Sequence, residues 1–258
     1  MSSILLFDSG VGGVSIYQHI RQRLPEASIH YLADTARFPY GELSEPDLIQ
    51  GCIGLIQEHI QRYDTALVVI ACNSASTLVL QQLRSRVMIP VVGVVPAIKP
   101  AAELSCSGRI GLLATPGTVQ RQYTDALIDA FAPQHQVIRI GSSELVRMAE
   151  AKMAGQTPNR SALTAILQPL LVQQPDVVVL GCTHFPLLVA ELQEVLGSNM
   201  QLVDSGAAVA RQVEKLCRQS ALTLERGDGA RFFYTGSQPG PWLFDALKRQ
   251  GFGEVRAF

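Results

Sequence analysis

The amino-acid sequence predicts an α/β fold of two similar, pseudo-symmetric lobes, each with a mostly parallel sheet flanked by helices, and an active site in the cleft between them. The first observation is that short runs of Val, Ile and Leu alternate with helix-like segments along the chain. The second is that several runs, such as LVVIA, are continuously apolar, which is typical of parallel strands covered by helices on both faces. The third is that motifs at the ends of these runs occur twice at nearly one spacing.

The apolar runs define the predicted strands in chain order. Each run is short, and the segments between them are long enough for helices that connect parallel strands. The predicted strands are 4–8, 29–33, 67–71, 91–95, 109–114, 136–140, 177–181, 201–203 and 231–234.

The internal repeat indicates where one lobe ends and the other begins. Three pairs of strand ends recur at offsets of 110 (182 − 72), 107 (117 − 10) and 109 (203 − 94): Cys72 with Cys182, Gly10 with Gly117, and Val94 with Val203. Such an offset suggests two α/β units of about 100 residues, an ordinary domain size. We predict a first lobe over residues 1–96, completed by 207–258, and a second lobe over 97–206.

Composition and charge narrow the class of partner. The chain has 258 residues, of which 47% are hydrophobic and 17% charged, which is enough for a well-buried core. A net charge of −1 and a pI near 6.5 give no global attraction to nucleic acid or to an acidic membrane, so we expect a small-molecule partner. The start, MSSILLFDSG, lacks a basic region and reaches Asp8 after a few apolar residues. We therefore expect a cytoplasmic protein without a signal peptide or membrane span.

The five cysteines form neither a disulfide framework nor a zinc ribbon, because their number is odd and no C-x-x-C pair occurs. Three of them, Cys52, Cys106 and Cys217, have no distinctive surroundings and are interpreted as structural. The other two, Cys72 and Cys182, each follow an apolar strand and precede small polar residues. A single buried cysteine usually serves packing, but its recurrence at matching strand ends favours a function.

The residues after the two thiols predict a cleft that binds anions. In open α/β sheets, ligands bind beyond the carboxyl ends of the strands. Asn73 and Ser74 follow the first cysteine and Thr183 follows the second, and all three favour the start of a helix, as does Pro186. Each thiol would then lie at the positive end of a helix dipole, which stabilises a thiolate and attracts a carboxylate. A thiolate on one face of a carbon and a thiol on the other would invert that carbon.

Five motifs resemble those of the glutamate racemases, in the aspartate/glutamate racemase family. They occur in the family's order and spacing: FDSGVGG (7–13), PYG (39–41), ACNSAS (71–76), PVVGVVPAIKPA (90–101) and GCTHFP (181–186). The resemblance implies an isomerase that interconverts L- and D-glutamate without a cofactor or metal and supplies D-glutamate for peptidoglycan synthesis. It leaves open whether the enzyme is a homodimer and whether a cell-wall precursor regulates it.

The resemblance also implies roles for individual residues. Cys72 matches the base toward D-glutamate and Cys182 the base toward L-glutamate. Asp8 and His184 match the groups that assist the first and second thiol, and Glu150 resembles an acidic residue near the site. The substrate-binding positions that match are Asp8, Ser9, Pro39, Tyr40, Gly41, Asn73, Ser74, Thr183 and His184. Many members have Thr in place of Ser74, so only a methyl group is lost there.

Other classes of protein share some of these sequence features. GVGGVS, with Asp34 beyond the next strand, resembles a dinucleotide-binding loop, but Ser15 replaces its third glycine. A thiol hydrolase using Cys182 and His184 would leave the first thiol unexplained. A zinc site would occupy the thiols that the mechanism needs. A binding module without turnover is the remaining alternative. Asp8, His184 and Glu150 also have structural interpretations, as a helix cap, a locally bonded histidine and a solvated helix residue.

Overall fold

A computed structural model describes residues 2–220, 222, 224 and 229–258. In this part of the chain the strands are β1 (Ser3–Asp8), β2 (Ile29–Ala33), β3 (Thr65–Ile70), β4 (Val91–Gly93), β5 (Arg109–Ala114), β6 (Gln136–Gly141), β7 (Val177–Leu180), β8 (Gln201–Val203), β9 (Ala230–Tyr234) and β10 (Phe252–Ala257). The helices are α1 (Val14–Arg23), α2 (Glu45–Arg62), α3 (Asn73–Arg84), α4 (Ile98–Leu104), α5 (Pro116–Gln120), α6 (Gln122–Phe131), α7 (Ser143–Met153), α8 (Arg160–Gln173), α9 (Val189–Leu196), α10 (Gly206–Gln219) and α11 (Pro241–Arg249). Short 3-10 helices cover Thr35–Arg37, Tyr40–Glu42 and Phe185–Leu188.

The strands form two parallel sheets with the same internal order. The first sheet runs β10–β9–β2–β1–β3–β4, and the second runs β6–β5–β7–β8. The second order therefore repeats the β2–β1–β3–β4 part of the first. This confirms the predicted α/β fold class with two similar parallel sheets flanked by helices. Because both sheets are parallel, the carboxyl ends of β1 and β3 lie on one edge of the first sheet, as those of β5 and β7 do on the second.

The central strands form the core. Every residue of β1, β3 and β7 is buried, which explains why their sequences are apolar except at the ends of β1 and the start of β3. The helices are amphipathic and cover the sheets with one face. None of the helices in the described ranges is both long and apolar enough to cross a membrane.

The last part of the chain joins the first sheet. β9 pairs with β2 over Ile29↔Ala230 to Ala33↔Tyr234, and α10 packs against α1 through Val209 and Val213. β10, which the sequence did not predict, adds an edge strand. The division into 1–96 with 207–258 and 97–206 stays a prediction, and residues 1, 221, 223 and 225–228 within it lie outside the described part of the chain.

Candidate active site

Both strand-end cysteines reach one cavity between the sheets. Cys72 follows β3, whose path continues through a hydrogen bond from Ala71 N to Phe7 O (2.7 Å). Cys182 follows β7 in the same way, with Gly181 N bonded to Leu113 O (2.7 Å). Each cysteine is only 6% exposed. One thiol therefore approaches the cavity from each sheet.

The cavity is narrow, with about 310 Å³ of space between protein atoms. Eight of the predicted site residues line it: Ser9, Pro39, Tyr40, Gly41, Cys72, Ser74, Cys182 and His184. Three more, which sequence reasoning missed, are Thr115, Ser143 and Val146. Thr115 follows β5, so the strand-end rule that selected the cysteines could have found it. Ser143 and Val146 lie on α7 and carry no comparable signal.

The two thiols differ in their helical surroundings. A helix begins directly after Cys72, as predicted, and the thiol lies at the positive end of that helix, although the N-cap residue of α3 is Cys72 itself and not Asn73. The helix predicted directly after Cys182 is not observed. Instead, i to i+3 hydrogen bonds from Phe185 N to Cys182 O (3.1 Å) and from Leu187 N to His184 O (3.1 Å) form a 3-10 turn, and α9 begins only at Val189. No α-helix begins at Cys182, so the stabilisation of a thiolate there must come from side chains.

The side chains placed to do this are a histidine and a glutamate. His184 Nδ1 lies 3.8 Å from Cys182 Sγ, and His184 Nε2 lies 2.8 Å from Glu150 Oε1. The same carboxylate oxygen accepts a hydrogen bond from Val11 N (2.7 Å). Burial lowers the pKa of His184, but the hydrogen bonds and negative charges of Cys182 and Glu150 raise this pKa well above its ordinary value. Glu150 therefore reaches the site through the imidazole and does not line the cavity itself.

Asp8 lies behind the cavity at the end of β1 and is fully buried. Its carboxylate accepts hydrogen bonds from Gly10 N (3.0 Å), Ser9 Oγ (3.3 Å) and Thr183 Oγ1 (3.0 Å). Burial raises the pKa of Asp8, against the opposing effects of His184 and of the Gly10 and Thr183 hydrogen bonds. The Thr183 contact ties this first-sheet carboxylate to the segment that follows the second thiol.

Asp8 influences the first thiol through its charge. Burial, and then the Asp8 charge, raise the pKa of Cys72 well above its ordinary value, against the lowering effect of a backbone hydrogen bond from Ala75. Cys72 is therefore a neutral thiol in the ligand-free protein. Cys182, by contrast, lies 3.8 Å from the imidazole of His184.

The glycine loop after β1 packs against the second lobe. A Cβ on Gly10 would lie 2.1 Å from Glu150 Oε1, and one on Gly12 would lie 2.3 Å from His184 Nδ1. Any side chain at these two positions would displace the groups that support Cys182. This close approach explains the GVGG sequence without a bound dinucleotide.

Tyr40 is held in the cavity wall by a buried carboxylate. Asp34 accepts hydrogen bonds from Tyr40 Oη (2.5 Å), Arg37 Nε (2.7 Å) and Thr235 Oγ1 (2.8 Å). Burial, followed by the charges of Cys52 and Asp34, raises the pKa of Tyr40, so its hydroxyl remains a hydrogen-bond donor. In the sequence, Asp34 fitted the acidic position of a dinucleotide-binding pattern. In the structure it instead supports the loop that lines the cavity.

Asn73, the first residue of α3, lies next to the main cavity. It lines a small neighbouring cavity together with Cys182 and Thr183 and does not line the main one. Its buried Nδ2 has no hydrogen-bond partner within the described residues. A buried amide of this kind is available to a bound polar molecule.

The His, Cys, Asp and Glu side chains near the cavity do not form a metal site. The residues that the structure describes contain no group of three or more His, Cys, Asp or Glu side chains arranged to hold a metal ion. What the arrangement offers is proton transfer, with a neutral thiol on one side and a thiol beside an imidazolium on the other.

Comparisons with known proteins agree with this geometry. The model of the Asp/Glu/hydantoin racemase family matches residues 4–213. A glutamate racemase of Shewanella pealeana is 49% identical over 255 residues, which cover 98% of this chain and 95% of that protein. One of Shewanella baltica (strain OS185) is 54% identical over 263 aligned residues, covering 98% and 96%. The crystal structure of Escherichia coli glutamate racemase with L-glutamate and the activator UDP-MurNAc-Ala matches with a TM-score of 0.95 at 46% identity, covering 100% of this chain and 98% of that one.

Proposed function

Because the chain belongs to the Asp/Glu/hydantoin racemase family and is an isomerase with glutamate racemase activity, we propose that it inverts the α-carbon of glutamate by proton transfer between Cys72 and Cys182. The observation that supports this mechanism is the approach of two buried thiols, one from each sheet, to a single cavity. No other pair of acid/base groups in the lining residues comes from opposite sheets at matching strand ends.

The proposed step on L-glutamate begins at the second lobe. The Cys182 thiolate takes the α-proton, the C–H bond breaks, and its electron pair stays on carbon as the carbanion. The Cys72 thiol on the opposite face then donates its proton to that carbon, which gives D-glutamate and a Cys72 thiolate. The reverse reaction exchanges the two roles, with Cys72 as base and Cys182 as acid. Both steps balance with the chain's own groups.

The different surroundings of the two thiols suit this assignment. The raised pKa of Cys72 makes it the proton donor for L-glutamate. The imidazolium of His184, 3.8 Å from Cys182 Sγ, stabilises the thiolate that acts as base. Glu150 keeps the imidazole charged and oriented, since its carboxylate is bonded both to His184 and to the glycine loop.

The polar groups around the cavity are suited to the two carboxylates of glutamate. The start of α3 supplies backbone N–H groups, and the unpartnered Asn73 Nδ2 lies on the same helix start, beside the small neighbouring cavity. Hydroxyl groups line the cavity on both sides, from Ser9 and Ser74 on the first lobe and from Thr115 and Ser143 on the second. We propose that these donors stabilise the charge that develops on the carbanion and its carboxylate. Burial of both thiols excludes water from the step.

We further propose that the product D-glutamate serves peptidoglycan synthesis in the cytoplasm. The Escherichia coli relative binds L-glutamate together with UDP-MurNAc-Ala, an activator. At 46% identity over the whole chain, we extend both ligands to this protein as substrate and regulator.

Serine replacements of the two cysteines test the mechanism. Purified protein is incubated with L-glutamate and the loss of optical activity is followed by circular dichroism. Each positioned proton donor or acceptor contributes about a hundredfold to ten-thousandfold, so Cys72→Ser and Cys182→Ser should each nearly abolish inversion. Cys106→Ser, a change at an exposed thiol, is the matched control and should retain full activity. Full racemisation by either active-site variant would refute the two-thiol mechanism, and glutamate binding without turnover by the unmodified protein would favour a binding module.

A further inference from the structure

A largely buried arginine lies in a cavity next to the catalytic one. A larger polar cavity adjoins the catalytic one and shares Tyr40 and Gly41 with it. Arg121, between α5 and α6 of the second lobe, lines this outer cavity, with only 14% of its side chain exposed. A buried guanidinium carries a large desolvation cost, so its contacts indicate what it is there to hold.

Among the described residues, the polar partners of this guanidinium belong to the first lobe. Arg121 Nη1 donates to the backbone oxygen of Ser74 (2.9 Å) and to Thr77 Oγ1 (2.7 Å), both on α3. Its Nε lies 3.5 Å from Glu45 Oε1 at the start of α2, and that carboxylate is 60% exposed. The guanidinium therefore bridges the lobes mainly through the first turns of α3, the helix that begins after Cys72.

Two threonines of the same second-lobe segment, residues 115–121, add further contacts between the lobes. Ser74 Oγ lies 3.0 Å from Thr115 Oγ1 and 3.4 Å from Thr118 Oγ1, and these two hydroxyls are 2.8 Å apart. Residues 115–121 thus contact the start of α3 through three side chains.

This segment is also connected to the second thiol. Thr115 directly follows β5, and β5 pairs with β7 through Leu113↔Leu180. Cys182 comes two residues after that pair, and Gly181 N is bonded to Leu113 O. A short series of contacts, through β5 and its pairing with β7, therefore links the start of α3, beside one thiol, to the strand end that carries the other.

We propose that Arg121 is a positioning residue that fixes the start of α3 against the second lobe and so sets the separation of the two thiols for inversion. The proposal rests on the proposed two-thiol mechanism. Arg121 does not line the catalytic cavity, so it acts on the reaction through the placement of Cys72 and Ser74.

Arg121→Ala tests this role through the separation of kcat from KM. Loss of two hydrogen bonds from a buried charged donor should lower kcat about 10- to 100-fold in both directions, because both proton transfers need the correct thiol separation. Arg121→Lys keeps one charged donor and should recover part of kcat. Thr77→Val removes only one acceptor on the first lobe and should lower kcat about 5-fold, which keeps the test valid if Arg121→Ala does not fold.

Arg147→Ala is the matched control. Arg147 also lies on the second lobe and forms a cross-lobe ion pair, with Glu42, but both side chains are about half exposed, and the pair joins α7 to the 3-10 helix Tyr40–Glu42 and not to α3. This control should change kcat less than about 2-fold.

The outcomes separate this inference from the mechanism on which it rests. An unchanged kcat with a raised KM in Arg121→Ala would show that Arg121 only recruits the anionic substrate, and would overturn the proposal. An equal loss in Arg147→Ala would do the same, since any cross-lobe pair would then suffice. If Arg121→Ala is fully active while the cysteine variants are inactive, the positioning role alone fails. If Cys72→Ser is fully active, the two-thiol mechanism itself fails.

Discussion

The support of Cys182 by Glu150 through His184 gives a quantitative prediction for Glu150→Gln. The substitution keeps the shape of the side chain and removes the charge 2.8 Å from His184 Nε2. Hydrogen bonds to charged groups contribute about 1.5–3 kcal/mol, and the 21% exposure of the Glu150 side chain favours the lower value. About 1.5 kcal/mol is roughly a tenfold change in the equilibrium between imidazolium and imidazole. We expect kcat on the basic side of the pH profile, where the variant loses its imidazolium first, to fall about tenfold relative to the unmodified protein.

The pH dependence has a defined sign. The pKa of His184 is raised in the folded protein, so the imidazolium is present at neutral pH and is lost as the pH rises through that raised pKa. Glu150→Gln lowers this pKa, and the decline of kcat on the basic side should begin at lower pH than in the unmodified protein.

The assay measures kcat and kcat/KM by circular dichroism between pH 6 and 10, with each enantiomer as substrate. The two enantiomers have equal free energies, so kcat/KM must be the same in both directions for every variant, which checks the data internally. Glu144→Gln, an exposed change on the same helix, is the control and should leave the profile unchanged. A Glu150→Gln profile identical to that of the unmodified protein would refute the role of Glu150.

Three further predictions concern other parts of the structure. Gly12→Ala places a methyl group where His184 lies, and we expect kcat to drop at least about tenfold while circular dichroism shows a folded protein. Because burial and the Asp8 charge raise the pKa of Cys72, iodoacetamide should label this thiol after Cys182 in ligand-free protein, as judged by peptide mass spectrometry, and the reverse order would contradict a neutral Cys72. Burial lowers the pKa of His30 to about 4 and of His59 to about 3, and the two rings share a 3.0 Å hydrogen bond, so stability should be lost as the pH falls below about 6.5. Urea unfolding at pH 5 should show a loss of about 2 kcal/mol per histidine relative to pH 7, and equal stability at both would contradict this.

The parallel sheets and the two thiols follow from local sequence patterns. Buried strands such as β3 and β7 are apolar, and polar residues follow them where the chain leaves the sheet. The change from apolar to polar residues therefore locates Cys72 and Cys182 without a structure. β10 escaped detection because Glu254 and Arg256 interrupt its apolar pattern, as an edge strand allows.

The remaining parts of the site depend on contacts between distant segments. The glycine loop resembles a nucleotide fingerprint locally, and only the approach of Glu150 and His184 explains the missing side chains. Asp34 is an acid beyond a strand in the sequence, but the fold turns it toward Tyr40. The position of Arg121 against α3 arises from the packing of two lobes, and no spacing in the chain predicts it.

Deuterium incorporation during the first turnovers tests the two-thiol mechanism most directly. Purified protein is incubated with L-glutamate in heavy water, the two enantiomers are separated at low conversion, and the α-position of each is examined by NMR. Two bases on opposite faces predict deuterium at the α-carbon of the newly formed D-glutamate and protium in the remaining L-glutamate, because each thiol exchanges with solvent before it donates. Deuterium in the recovered L-glutamate at the same rate, or protium retained in the product, would show that one base serves both faces and would contradict the mechanism.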